Sequence, residues 1–322
     1  MLSKRKRYFK GLPFILFAIL AINSRAIAFD NKESFALSRY IIAGMYSQLG
    51  DAQSAIQEYR AALKADFQNP AIHLGLATAL LKNDQADKAA EELGLAIKFD
   101  PEAVEPHAIL ALLYFSQNKV SLANSEYEIA LKKAINIQPE NVDIYKNLGF
   151  LYLREKKFKE AQAIYRLALK VSSEDAQVYF YLANISDELK NRPEALRNLK
   201  KALELKPDYS EALNYLGYLY VEDGTNLDQA GVMINKALEI EPNNGAYIDS
   251  LGWFYFKKGK LAQAVKELEK AASLMPDPVI YDHLGDVYFR MDDPLRAKTN
   301  WQKSLDLDNT QEKIKKKIEG IK

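Results

Sequence analysis

A small residue recurs along this chain at a nearly fixed interval. Ala55, Ala89, Ala123, Ala161, Ala195, Ala230, Ala264 and Ala297 are separated by 34, 34, 38, 34, 35, 34 and 33 residues. A repeat of this length restricts the fold to a stack of small supersecondary units, each burying its apolar face against its neighbours. Chain length then no longer sets the number of domains. The 322 residues carry no Pro/Gly/Ser-rich linker that would divide them, and one domain is expected.

Around each alanine the same pattern returns. One copy reads Tyr145, Leu148-Gly149, Tyr152, Ala161, Tyr165, Ala168. Others read Leu213, Leu216-Gly217, Tyr220, Ala230, Ile234, Ala237, and Tyr281, Leu284-Gly285, Tyr288, Ala297, Trp301, Ser304. Residues three, four and seven apart share one face of a helix, so each copy spells two amphipathic helices. Glycine or alanine lets the two approach closely, and the large residue opposite fills the space beside it. Pro101, Pro139, Pro207, Pro242 and Pro276 mark where each second helix must end. Short pieces such as Glu155-Lys156-Lys157-Phe158 connect antiparallel neighbours. The fold class is therefore all-α, with about eight helical hairpins. The four extra residues near Lys132–Ile135 amount to one helical turn and are expected to lengthen a second helix. The one extra residue in Glu222–Asn226 belongs in a turn. Thr310–Lys322, with Ile314, Ile318 and Ile321 on one side, reads as an amphipathic helix capping the stack. A basic membrane-surface helix is the competing reading.

The first 28 residues are of a different kind. Lys4, Arg5, Lys6, Arg7 and Lys10 precede an apolar stretch from Gly11 to Ile22, and the segment closes on Ala26-Ile27-Ala28. This is the layout of a secretory signal cleaved after Ala28, followed by the repeats over 29–309 and the cap over 310–322. An uncleaved anchor is the alternative, although 12 residues fall short of the ~20 that a membrane span needs. Cleavage leaves 38 Lys and Arg against 43 Asp and Glu, a net charge of −5. Such a chain has no general attraction to nucleic acid or anionic lipid, and no integral span is expected in the mature chain. The absence of cysteine excludes thiolate metal sites, disulfides and a cysteine nucleophile.

The repeats are identified as members of the tetratricopeptide-repeat family, over roughly Ser34 to Asn309. The runs Asn214-Tyr215-Leu216-Gly217-Tyr218, Gly245–Trp253 and Asp282–Tyr288 resemble those of exported repeat proteins of Gram-negative bacteria. The resemblance implies a right-handed superhelical solenoid whose concave surface, built mainly by first helices, binds a peptide or protein segment. It also implies a periplasmic or outer-membrane-associated protein, any membrane association being through partners.

Helical phase names the groove. If Tyr145, Leu148, Gly149 and Tyr152 face the stack, another side presents Lys146, Asn147 and Phe150. The same offsets give Tyr181 and Asn184; Asn214, Tyr215 and Tyr218; and Asp249, Trp253 and Phe256. Rings can hold apolar side chains and amides can bond a visiting main chain. Two readings stand: these rings contact a ligand, or they pack against the neighbouring first helix. Lys146, Asn147 and Asn184 fall at the offsets of a carboxylate clamp, but Phe150, Tyr181 and Tyr215 occupy the adjoining slots.

His73 and His107 occupy the large-residue slot of Tyr145 and are assigned to the core. His283 lies beside Asp282 and Asp286, a weak metal constellation. No phosphate loop, H-E-x-x-H or G-x-S-x-G motif is present. No catalytic residue, cofactor or metal is expected. The reading is an interaction scaffold or adaptor in the periplasm, for envelope or secretion machinery. The alternative is a non-catalytic regulatory subunit of an envelope enzyme or polymer-export complex.

Overall fold

A computed structural model describes residues 31–321, and the expected signal segment lies outside them. Every regular element among the described residues is a helix. The first, α1, spans residues 31–48. Then follow α2 (Ala52–Ala65), α3 (Pro70–Lys82), α4 (Ala86–Phe99), α5 (Glu105–Ser116), α6 (Val120–Ile137), α7 (Val142–Arg154) and α8 (Phe158–Val171). The rest are α9 (Ala176–Glu188), α10 (Arg192–Leu205), α11 (Ser210–Glu222), α12 (Leu227–Ile240), α13 (Gly245–Lys257), α14 (Leu261–Leu274), α15 (Pro278–Arg290), α16 (Pro294–Leu307) and α17 (Glu312–Glu319). None of the described helices is long and apolar enough to cross a membrane.

Odd and even helices pair as eight hairpins, and α17 follows alone on α16. The chain divides into two compact units, Met1–Ile144 and Tyr145–Lys322. The division falls inside α7 and not at a linker.

The eight periodic alanines are all fully buried. Opposite them, Gly149 faces Tyr165 and Gly285 faces Trp301, so the small residue of the first helix receives the large residue of the second. The prolines stand two residues beyond the ends of α4, α6, α10, α12 and α14, as a residue unable to continue a helix should. The four extra residues lengthen α6 to 18 residues, against 14 for every other second helix. The single extra residue is taken up between Gly224 and α12, where Asn226 also has positive φ.

All eight intra-hairpin turns share one device. Gly50, Asp84, Asn118, Lys156, Lys190, Gly224, Gly259 and Asp292 each have φ between 56° and 82° and end the first helix. The next residue donates its N–H to a carbonyl five positions back, as in Gln85 to Leu80 (2.9 Å), Lys157 to Tyr152 (2.9 Å) and Asp293 to Tyr288 (3.0 Å). This left-handed closure satisfies carbonyls that the helix end would leave unpaired.

The unit containing α1–α6 carries a polar contact to a glutamate that recurs at the repeat interval. Arg39 meets Glu58 (2.8 Å), His73 meets Glu92 (2.6 Å) and His107 meets Glu126 (2.6 Å), each joining the two helices of one hairpin. His73 also bonds the Phe67 carbonyl through Nε2 (2.8 Å) and has no exposed surface. Both histidines sit in the core, as their slot predicts.

Candidate functional site

All eleven expected groove residues belong to the unit that begins at Tyr145. They fall into rows set by the buried leucines of the first helices, Leu148, Leu182, Leu216, Leu251 and Leu284. One residue before each leucine come Asn147, Tyr181, Tyr215, Ser250 and His283; two residues before come Lys146, Phe180, Asn214, Asp249 and Asp282. Two residues after come Phe150, Asn184, Tyr218, Trp253 and Asp286.

In the row immediately before the leucine, three residues tie a hairpin to the one before it, while Asn147 is exposed and Ser250 donates to the Ala246 carbonyl of its own helix. Tyr181 stacks on Tyr165 of α8, with ring centroids 5.1 Å apart. The Tyr215 hydroxyl donates to Asp187 of α9 at 2.8 Å, and burial pushes this phenol well above its usual range. His283 Nδ1 meets Asp249 of α13 at 2.9 Å. Lys317 of α17, 34 residues beyond His283, reaches back to Asp282 and Asp286 of α15, both at 2.6 Å. The capping helix thus docks as a further first helix, with Ile314 buried and Lys317 in the tethering row.

The outer rows divide. Trp253 is only 7% exposed. Its ring lies between His283 (4.0 Å, 12° between planes) and Phe256 (4.7 Å, 18°), and its N–H donates to Glu222. Asp249 is buried with His283. For these two residues the structure takes the packing alternative: they are the floor, held by the next first helix. Asn184 donates to the Phe180 carbonyl one turn back (2.8 Å), and Lys146 is paired with Asp175 (3.2 Å). Phe150 is 49% exposed and Asn147 is exposed. Tyr218 is half-buried, and burial followed by Glu222 and Asp249 raises its phenol. Asn214 is half-buried, and its Oδ1 has no hydrogen-bond partner among the described residues.

The Asp249–His283–Trp253 cluster makes stability depend on pH. Burial alone would lower the pKa of His283, but the Asp249 carboxylate, with Asp282 and Glu222 beyond it, outweighs burial and raises it above the ordinary 6.5. The Trp253 face beside the ring also favours an imidazolium. A raised folded-state pKa stabilises fully below the unfolded pKa, and the contribution is lost as pH rises through the folded value. The denaturation midpoint of this unit is expected to fall as pH is raised from below 6.5 into the alkaline range. His283→Gln is expected to flatten that slope, measured by tryptophan fluorescence in urea above the carboxylate range.

Among the described residues no group of three or more His, Asp or Glu is placed to hold a metal ion. His283 joins Asp249 and not a constellation with its own helix neighbours. The site therefore offers ring faces, amides and carboxylates along a series of first helices. That chemistry suits recognition of a polypeptide surface.

A search of curated proteins returns no match. Among solved structures, a tetratricopeptide repeat protein from Parabacteroides merdae is similar, with 20% identity over 78% of this chain and 98% of that one and a TM-score of 0.59. A chain of the APC/C hetero-tetramer Cut9-Hcn1 is similar at 17% identity and a TM-score of 0.58, over 83% of this chain and 52% of that one. Both likenesses concern the fold. Family profiles described as tetratricopeptide repeat match residues 47–113, 130–163, 176–209 and 247–278, together about half of the sequence. With the period, the buried alanines and the hairpin closures already given, these matches place the chain in the tetratricopeptide-repeat family.

Proposed function

We propose that this protein, an interaction scaffold by its family, is exported to the periplasm and holds a peptide or protein segment along the first helices of its second unit. The observation that carries the reading is the composition of the outer rows. Among the expected groove residues, Asn147 and Phe150 are exposed and Tyr218 is half-buried, leaving ring and amide surface that the fold does not fully consume. An exposed helix face with no such role would be mainly charged. The basic, apolar and small-residue order of residues 1–28 supports export.

The test uses exposed residues, because replacing buried Trp253 would damage the floor itself. The tagged chain, recovered from the periplasm, is used to capture partners from envelope extract. Phe150→Ala is expected to reduce capture about tenfold, as loss of an aromatic anchor does. Asn147→Ala combined with it is expected to lower capture further, with the thermal midpoint unchanged. Undiminished capture by the double variant would remove the groove reading. N-terminal sequencing of the recovered chain should begin at Phe29, and retention in the cytoplasm would overturn export.

A further inference from the structure

The first helix carries an apolar face that the rest of the fold leaves open. At the register of Leu76 in α3 and Leu110 in α5, α1 has Ile42. Leu76 and Leu110 are 1% and 5% exposed, because α3 packs on α2 and α5 on α4. Ile42 is 38% exposed. Phe35, Leu37, Ile41, Met45 and Leu49 accompany it, all exposed, with Leu49 at 80%. At 3.6 residues per turn these six side chains lie within an arc of about 160°, opposite buried Ala36 and Ala43. Asn31, Ser34, Ser38 and Gln48 interrupt the arc, and none is charged. Arg39 at one edge is held by Glu58, and exposed Glu33 stands at the other. This is a hairpin-stacking surface with no hairpin on it among the described residues.

We propose that this face is covered by the same face of a second copy, forming a two-fold symmetric dimer through α1. Three observations select this occupant. First, the face is apolar and uncharged along its length, so the same face of a second copy matches it in character. Second, the other end of the chain cannot serve as its complement. There α17 buries Ile314 inward and leaves Glu312, Lys313, Lys316 and Glu319 exposed, a charged surface that an uncharged apolar face does not match. The α17 surface is therefore a poor complement, whereas apolar face against like apolar face is the isologous arrangement of a two-fold dimer. Third, the area is sufficient. The six side chains expose roughly 650 Å² per copy, about 1,300 Å² in a pair, within the ~1,200–2,000 Å² of stable interfaces. A patch of this size also exceeds what soluble monomers ordinarily leave to water.

The purified chain, with its intact mass recorded to show whether residues 1–28 remain, is studied by sedimentation. A species of twice the chain mass is expected at micromolar concentrations. Ile41→Lys would bury an unpaired charge at the contact and is expected to weaken association at least about a hundredfold. Because Ile41 is exposed, helical content should not change, and the thermal midpoint should match that of the parent diluted to its monomer. The chain has no cysteine, so Ser38→Cys provides a unique thiol within the face, and mild oxidation is expected to join two copies. A chain that stays monomeric up to roughly 100 µM overturns the proposal. So does a dimer indifferent to Ile41→Lys. A monomer whose Ser38→Cys thiol is shielded by its own residues 1–28, or only by added phosphatidylglycerol vesicles, also overturns it.

Discussion

Gly285→Ala is expected to destabilise the second unit by about 2–3 kcal/mol, the upper range for overpacking a rigid site. The added Cβ would fall inside the indole of Trp301, against Cδ1 and Nε1. The ring cannot easily yield. Its N–H donates to Asp286 (3.1 Å), Phe289 lies against it (5.7 Å), and Lys317 stands over it (5.6 Å). Alanine's better helix propensity returns about 1 kcal/mol at most. The control is Gly94→Ala in α4, where nothing lies within 4 Å of the new methyl. That variant should gain up to about 1 kcal/mol. Because hairpin arrays open in neighbouring groups, hydrogen exchange is the more discriminating readout. Protection should fall in α15–α17 and stay unchanged in α1–α6. Uniform protection throughout would contradict the close approach of α15 and α16.

The second large effect lies at the other end of the same unit. Tyr165 has no exposed surface; its ring sits 2.6 Å from where a Gly149 Cβ would be and stacks on Tyr181. Burial raises its phenol far above the usual range. Tyr165→Ala empties this volume between two hairpins and is expected to cost about 3–5 kcal/mol. Its hydroxyl contributes little by comparison, since the contact with the Lys146 carbonyl is long at 3.4 Å. Tyr165→Phe should therefore lie within about 1 kcal/mol of the parent. Urea midpoints distinguish the two, and equal losses would mean that the hydroxyl and not the ring holds the site.

The fold was legible because its determinants are local and recur. The alanines at a 34-residue interval, the prolines behind each second helix and the extra turn in α6 all stand where helical phase puts them. The histidine slot was legible too, and its glutamate is marked by the same period. Glu58, Glu92 and Glu126 themselves recur at 34 residues, each 19 beyond its partner, and that double recurrence is the signal that finds the pair. The groove was legible only in part. Phase on a single helix selects the side on which Trp253, Asp249 and Tyr215 stand. It does not say that the next first helix comes close enough to take them. That depends on inter-hairpin approach, which His283, Asp187 and Lys317 set through contacts 28 to 35 residues away in sequence. The open face of α1 escaped for the opposite reason: its pattern matches an interior helix, and only its surroundings differ.

The uniform left-handed pivot in all eight hairpins bears on how such a chain changes over generations. A unit excised or copied between any two pivots arrives with its turn already correct, whether Gly50, Asn118 or Lys190 occupies it. Growth and shortening can thus proceed by whole hairpins through unequal recombination. The irregular insertions tolerated here, one turn in α6 and one residue after Gly224, both leave the pivot's own geometry untouched.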